Sequence, residues 1–247
     1  MKPKILFLPM LLLGCACSSY YYAPNTLQTP HLVERHDAEF SVGGLRGPES
    51  SGFEAHISYA FSRRLALMVN HMELRGGNAS QERWGKGRLT EGGLGVYFPM
   101  DDNTSNTVFL GWGSGYAFHQ FPKESKAKLE FHRYFGQYGI CVERGAMRLG
   151  TGVRLNYLQY RKGWIDYRLG EPDISKIELI EERSPLIFPE LSVNLGIGSR
   201  PVWVNAFATI MEYDSAEELG LATHTFGLSL TFQVDHFWRA ERASKIK

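Results

Sequence analysis

The chain has 247 residues, with 27 Lys and Arg against 26 Asp and Glu. So even a balance gives no field that would hold nucleic acid or an acidic surface, and nucleic acid is excluded as a partner. Gly at 26 residues and aromatics at 13% favour strands and turns over helices, and no shift in composition marks a second domain.

Lys2 and Lys4 precede an apolar run over 5–13, the charged-then-apolar order of a secretory signal. The run is too short to stay in a bilayer as a spanning helix. Leu12-Leu13-Gly14-Cys15 then resembles the lipobox of bacterial lipoproteins. That resemblance implies removal of a signal peptide over 1–14, acylation of Cys15 and Cys15 as the mature N-terminus. Residues 15–37, with Pro24 and Pro30, read as a periplasmic linker that tethers the lipid in the inner leaflet. Cys17 and Cys141 are the other thiols, and no C-x-x-C pair exists, so no disulfide framework, metal site or cofactor is expected.

Strands follow. Between 52 and 61, Phe53, Ala55, Ile57, Tyr59 and Phe61 alternate with Glu54, His56 and Ser58, the two-residue period of a sheet with unlike faces. The same test predicts strands near 38–44, 52–61, 65–74, 88–98, 107–118, 129–143, 147–160, 187–198, 202–212 and 224–234. Two are blurred: Met68 and Met72 fall on the polar side of 65–74, and Trp203 and Phe207 break the parity of 202–212. The connections alternate in length. Those at 62–64, 100–105, 143–146 and 199–201 are short, whereas 45–51, 76–87, 120–128, 161–185 and 213–223 are long.

This pattern predicts an all-β fold, a transmembrane up-and-down antiparallel β-barrel of about ten strands over 38–234. Long loops would lie outside the cell and short turns in the periplasm. Both chain ends are then expected on the periplasmic side, the C-terminal one as a basic tail over 235–247. A soluble barrel would alternate too but would bury its apolar set. Here the set assigned to the interior holds Gly, Ser, Asn and single charges, and aromatics such as Phe61, Phe98, Phe118, Tyr157 and Phe232 sit near strand ends as interfacial girdles require. Thr225-x-Gly227-x-x-Leu230-x-Phe232 resembles the terminal-strand signal read by the bacterial barrel-assembly machinery, which implies that machinery as a partner during biogenesis. The chain departs from that pattern by running on past the aromatic.

Catalytic signatures are missing from the sequence: there is no G-x-S-x-G, H-E-x-x-H, P-loop or post-strand G-x-G-x-x-G. Gly111, Gly113 and Gly115 share one face of a strand and are expected to make room for large luminal side chains. The ionisable residues assigned to the interior are Glu39, Glu54, His56, Glu91, Arg133, Arg148, Arg154 and Glu190. Acids and bases in similar number inside a narrow barrel should pair, because an unpaired buried charge is strongly disfavoured. A salt-bridged filling is therefore expected, ahead of a narrow pore. His56, His71, Glu73, His119 and His132 are the acid–base candidates for a hydrolase at the outer rim, and no two have a signature spacing. The loop over 161–185, with Trp164, Asp166 and Tyr167, is long enough to cover the mouth or meet a partner.

Tyr20-Tyr21-Tyr22-Ala23-Pro24-Asn25, Thr29-Pro30 and Ala38-Glu39-Phe40 resemble the entry segment of small outer-membrane lipoprotein barrels of the Bacteroidota type. The resemblance implies fold and outer-membrane location and assigns no residue roles. Asp214-Ser215-Ala216 resembles the short O-glycosylation acceptor of that phylum, which makes Ser215 a candidate. The function expected is a non-enzymatic envelope subunit, structural or bound to a partner protein, that works through its loops. A narrow passive channel and a rim protease or lipid hydrolase are the alternatives.

Overall fold

The computed structural model describes residues 21–48, 50–78, 83–121, 125–165, 171–216 and 218–234. The lipobox with Cys15, the signal segment, Asp166, Tyr167 and the basic tail lie outside them. Ten strands form a closed antiparallel barrel in which each pairs with its chain neighbours and the last with the first. They are β1 (Ala38–Arg46), β2 (Ser50–Ala60), β3 (Leu65–Asn78), β4 (Arg83–Pro99), β5 (Thr104–Gln120), β6 (Lys126–Arg144), β7 (Met147–Ile165), β8 (Leu186–Ser199), β9 (Val202–Met211) and β10 (His224–Gln233). Among the described residues one helix, α1 (Glu171–Arg183), sits between β7 and β8. Closure runs from Glu39 opposite Gln233 to Arg46 opposite Phe226, so no edge carries unpaired backbone. Among the described residues no helix is long and apolar enough to cross a membrane.

The ten strands fall where the alternation predicts them, but β3 to β7 run further toward the long-loop rim. The ladder takes up eight of the twelve residues predicted as connection over 76–87 and four of the nine over 120–128, leaving 79–82 and 121–125 between strands. The reason lies in the polarity of the two faces. Spanning the bilayer takes about 9–11 residues per strand, whereas β6 and β7 each have 19. In the lower part of the wall Leu94, Leu110, Leu149, Val153, Leu155, Val193, Leu195 and Leu228 point outward and are exposed. Higher up, Lys86, Arg88, Lys128 and Glu130 point outward while Leu89, Ala117, Ala127, Leu129, Phe131 and Leu158 are buried inside. The barrel is thus built for lipid over one stretch and for water over the next. The backbone ladder continues through the change, while the outward apolar alternation that marks a strand in the sequence ends there.

Exposed aromatics mark the borders of the apolar belt: Phe53, Trp112, Tyr134 and Tyr157 toward the long loops, and Phe40, Phe61, Phe98 and Phe232 toward the short turns. The belt with a buried polar interior is the reverse of a soluble barrel and fits an outer-membrane one. The short turns are tightly made. In the turn after β4, Asp101 accepts the Asn103 N–H at 2.8 Å, which holds its carboxyl below the usual carboxylate range.

The main departure from expectation is the N-terminal segment. Residues 21–32 are buried almost without interruption and lie inside the barrel. This corrects the periplasmic linker expected over 15–37, at least from Tyr21 onward. The segment also enters the lumen from the rim opposite to the one expected to hold both chain ends. The Tyr21 N–H donates to Gly220 C=O at 2.7 Å, and Tyr22 bridges to Leu221 in parallel, both in the loop between β9 and β10. The described chain therefore starts at the long-loop rim, and only the end of β10 lies at the short-turn rim. The physical reason is the lumen itself. A ten-stranded wall leaves more space than its own side chains fill, and an extended segment can satisfy the polar groups exposed there.

Candidate functional site

The interior is layered. Under the long-loop rim, Tyr21 and Tyr22 join Leu89, Phe131, Tyr160, Phe188 and Phe207 in an apolar cluster. Ile177 and Ile180 of α1 and Leu219 and Leu221 of the last loop enter the same cluster from above, so α1 and that loop lie over the mouth. A second cluster near the short-turn rim packs Leu32 against Met68, Tyr97, Phe109 and Phe135. A charged zone begins between the clusters and reaches down to the short-turn rim.

Its upper tier is a four-ion group closed by the N-terminal segment. Arg133 pairs with Glu91, and Arg154 with Glu190 at 3.3 Å. Asn25 fits among them: its Oδ1 accepts from Arg133 at 2.8 Å and from Arg154 at 2.7 Å, and its Nδ2 donates to Glu91 at 3.1 Å. The Tyr22 hydroxyl donates to Glu190 at 2.7 Å. Two guanidinium groups and two carboxylates therefore balance, and the neutral segment supplies the hydrogen bonds that their geometry leaves unmade. Beside this tier, Glu54 accepts from the Thr26 N–H at 3.2 Å and faces His56 Nε2 at 3.2 Å. His56 meets Asn70 at 3.0 Å, and Asn70 donates to Glu91 at 2.7 Å, which joins the groups into one network.

The lower tier repeats the balance. Arg148 reaches both oxygens of Glu39 at 2.8 Å and donates to Thr29 C=O at 3.2 Å. Arg200, from the turn after β8, donates to Glu143 at 2.8 Å and meets His31 at 3.1 Å. Ser58 donates to Gln28 at 2.7 Å, and Ser105 to Pro30 C=O at 3.2 Å. A polar pocket remains beside Thr26–Thr29, bordered by Ser41, Glu54, His56, Arg148 and Thr231. It has room for on the order of one or two water molecules.

The glycines of β6 and β7 shape the wall to the segment. A Cβ on Gly139 would come within 2.9 Å of Thr29, and one on Gly150 would overlap its hydroxyl. Gly113 likewise leaves space for Glu91, and Gly111 and Gly115 for the rings of Phe135 and Phe131.

All eight ionisable residues assigned to the interior face it, and the two tiers bring them together. The sequence pattern did not yield their partners Tyr22, Asn25, Thr26, Thr29 and His31, which belong to a segment without periodicity, nor Arg200, which sits in a turn. Two signals pointed that way. Tyr21, Tyr22, Leu27 and Leu32 are too apolar for a solvated linker, and Gly139, Gly150 and Gly152 form an inward patch of bare backbone. Met68, Met72, Trp203 and Phe207, which blur the alternation, are buried inside, with Phe207 filling the space left by Gly227.

The other candidates are dispersed. His71 and Glu73 stand 3.6 Å apart on the outward face, and His132 lies against Trp112 on that face. His119 is buried beside Tyr21, and His56 is enclosed behind the segment. Trp164 is exposed near the top of β7. Ser215 is half-buried in the turn at 213–216. Leu230 and Phe232 point outward and Gly227 inward on the last strand. No group of His, Cys, Asp or Glu among the described residues could hold a metal ion.

No family model matches the sequence, and no characterised protein sequence matches it. Solved structures that resemble it include the attachment invasion locus protein Ail of Yersinia pestis, with 11% identity over 81% of this chain and 99% of that one and a TM-score of 0.40. The outer membrane protease OmpT of Escherichia coli has 9% identity over 84% and 99%, with a TM-score of 0.43. The NanC porin has 10% identity over 79% and 98%, with a TM-score of 0.35. The likeness is one of barrel architecture, and no activity passes from these proteins to this chain.

Proposed function

We propose that the protein is a self-plugged, lipid-anchored outer-membrane barrel that serves the envelope as a structural or partner subunit, with contacts made at its long-loop rim. One observation carries this reading: residues 21–33 run the length of the lumen, bonded to both charge tiers. A segment so held is part of the fold and leaves ions no wide path. The exposed surface that can meet another protein is then the rim, where α1, the loop over 212–223 and Trp164 lie together with the charged outer face of β3 to β7. The anchor is assigned to Cys15 on the strength of its lipobox.

In planar bilayers the intact protein should carry no steady current, whereas a chain lacking residues 21–33 should conduct in proportion to salt. A steady current through the intact protein would replace this reading with the channel. Cross-linking in native membranes from a cysteine placed at Trp164 should capture a specific envelope protein. An unchanged conductance after deletion, together with a rim-dependent hydrolytic activity in the purified barrel, would favour the hydrolase.

A further inference from the structure

The N-terminal segment passes through the barrel in one direction without folding back. Tyr21 and Tyr22 are bonded to 220–222 above the mouth, and Pro24 C=O accepts from Thr225 at the start of β10. Asn25 and Thr26 are at the level of Glu91 and Glu54, and Gln28 is at that of Ser58 and Gln137. Pro30 meets Ser105 at the start of β5, and the His36 N–H donates to Ala60 C=O at the end of β2. Each step along the chain is a step from the long-loop rim toward the short-turn rim. Ten peptide steps from Tyr21 to His31 cover about 33 Å when extended, close to the ~30 Å of a bilayer's hydrocarbon core. There is no slack for a return, and the Tyr21 backbone is tied to the loop above the mouth.

We propose that the chain preceding Tyr21 is delivered to the outer face of the membrane, so that this protein threads its own N-terminus through its barrel and displays it at the cell surface. The inference rests on the reading above that the long-loop rim faces outward. Cys15 is six residues before Tyr21, a reach of about 20 Å. An acyl chain attached there enters the outer leaflet, opposite to the inner-leaflet tether the sequence suggests.

The test is topological and uses the full-length protein in cells. A short epitope is inserted after Ser19, after Asp214 in the last long loop, or after Gly145 in a short turn, and antibody binding is compared between intact and permeabilised cells. The tags after Ser19 and Asp214 should bind antibody on intact cells, and the tag after Gly145 only after permeabilisation. A Ser19 tag that behaves like the Gly145 tag overturns the proposal. If the Asp214 tag is hidden and the Gly145 tag exposed, the barrel's orientation is wrong and the outer-face claim falls, even if the Ser19 tag still follows the Asp214 one. Should an insertion prevent assembly, seen as loss of the heat-modifiable folded band, Ser19→Cys with Cys17→Ala supplies a smaller reporter. Labelling of intact cells by a membrane-impermeant maleimide supports the proposal, and labelling confined to permeabilised cells refutes it.

Discussion

Asn25 is a neutral side chain that touches three charged ones, and its position shows how the lumen tolerates so many ions. Arg133 and Arg154 both donate to its Oδ1 while it donates to Glu91. Removing it strands parts of two buried guanidinium groups, and Asn25→Ala should destabilise the barrel by about 1–3 kcal/mol in urea unfolding from lipid vesicles. Arg133→Met should cost more, about 3–5 kcal/mol, because it leaves two buried carboxylates, Glu91 and Glu190, to the single cation Arg154. Adding Glu91→Gln to Arg133→Met should recover part of the loss. If the double variant is no more stable than the single one, the pair does not act as a unit. At this scale the sequence went halfway. Strand parity named the charged residues on the wall, but it could not name Asn25 or Thr26, because a segment held by side chains leaves no periodic mark.

Among the elements, the N-terminal segment and α1 each depend on a fitted surface. Gly150→Val places a side chain where Thr29 stands, so it should push the segment aside and open a current in planar bilayers. Thr29→Gly in the same chain should close that current again, a rescue that a general weakening of β7 would not allow. Helix α1 is held over the mouth by Ile177 and Ile180, whereas its Arg183–Glu218 pair at 3.0 Å is exposed and worth little. Ile180→Asp should therefore speed proteolysis within 166–185 at least several-fold, and Arg183→Ala should leave it nearly unchanged. The sequence indicated a long loop able to cover the mouth but not the helix within it. That helix is stabilised by burying two isoleucines against the barrel's apolar upper interior, and an apolar upper interior was not visible before the strands were closed.

At the scale of the whole molecule, the wall changes character along its axis. Where it meets lipid, a charge on the outer face is expensive: Val193→Arg should cost about 2–4 kcal/mol and slow insertion into vesicles. Lys128→Ala, on the same face but above the belt, should change stability little, and unfolding midpoints of the two variants would compare the two zones directly. The sequence by itself determined the ten strands, their antiparallel order, which side of each looks inward and eight of the ionisable residues that face the lumen. These follow from a two-residue period and from connection lengths, both local properties of the chain. Only the tertiary structure decided what fills the lumen and where the described chain begins. The N-terminal segment has no period of its own, and its extended path is imposed by groups from strands all round the wall that become neighbours only when the barrel closes around it.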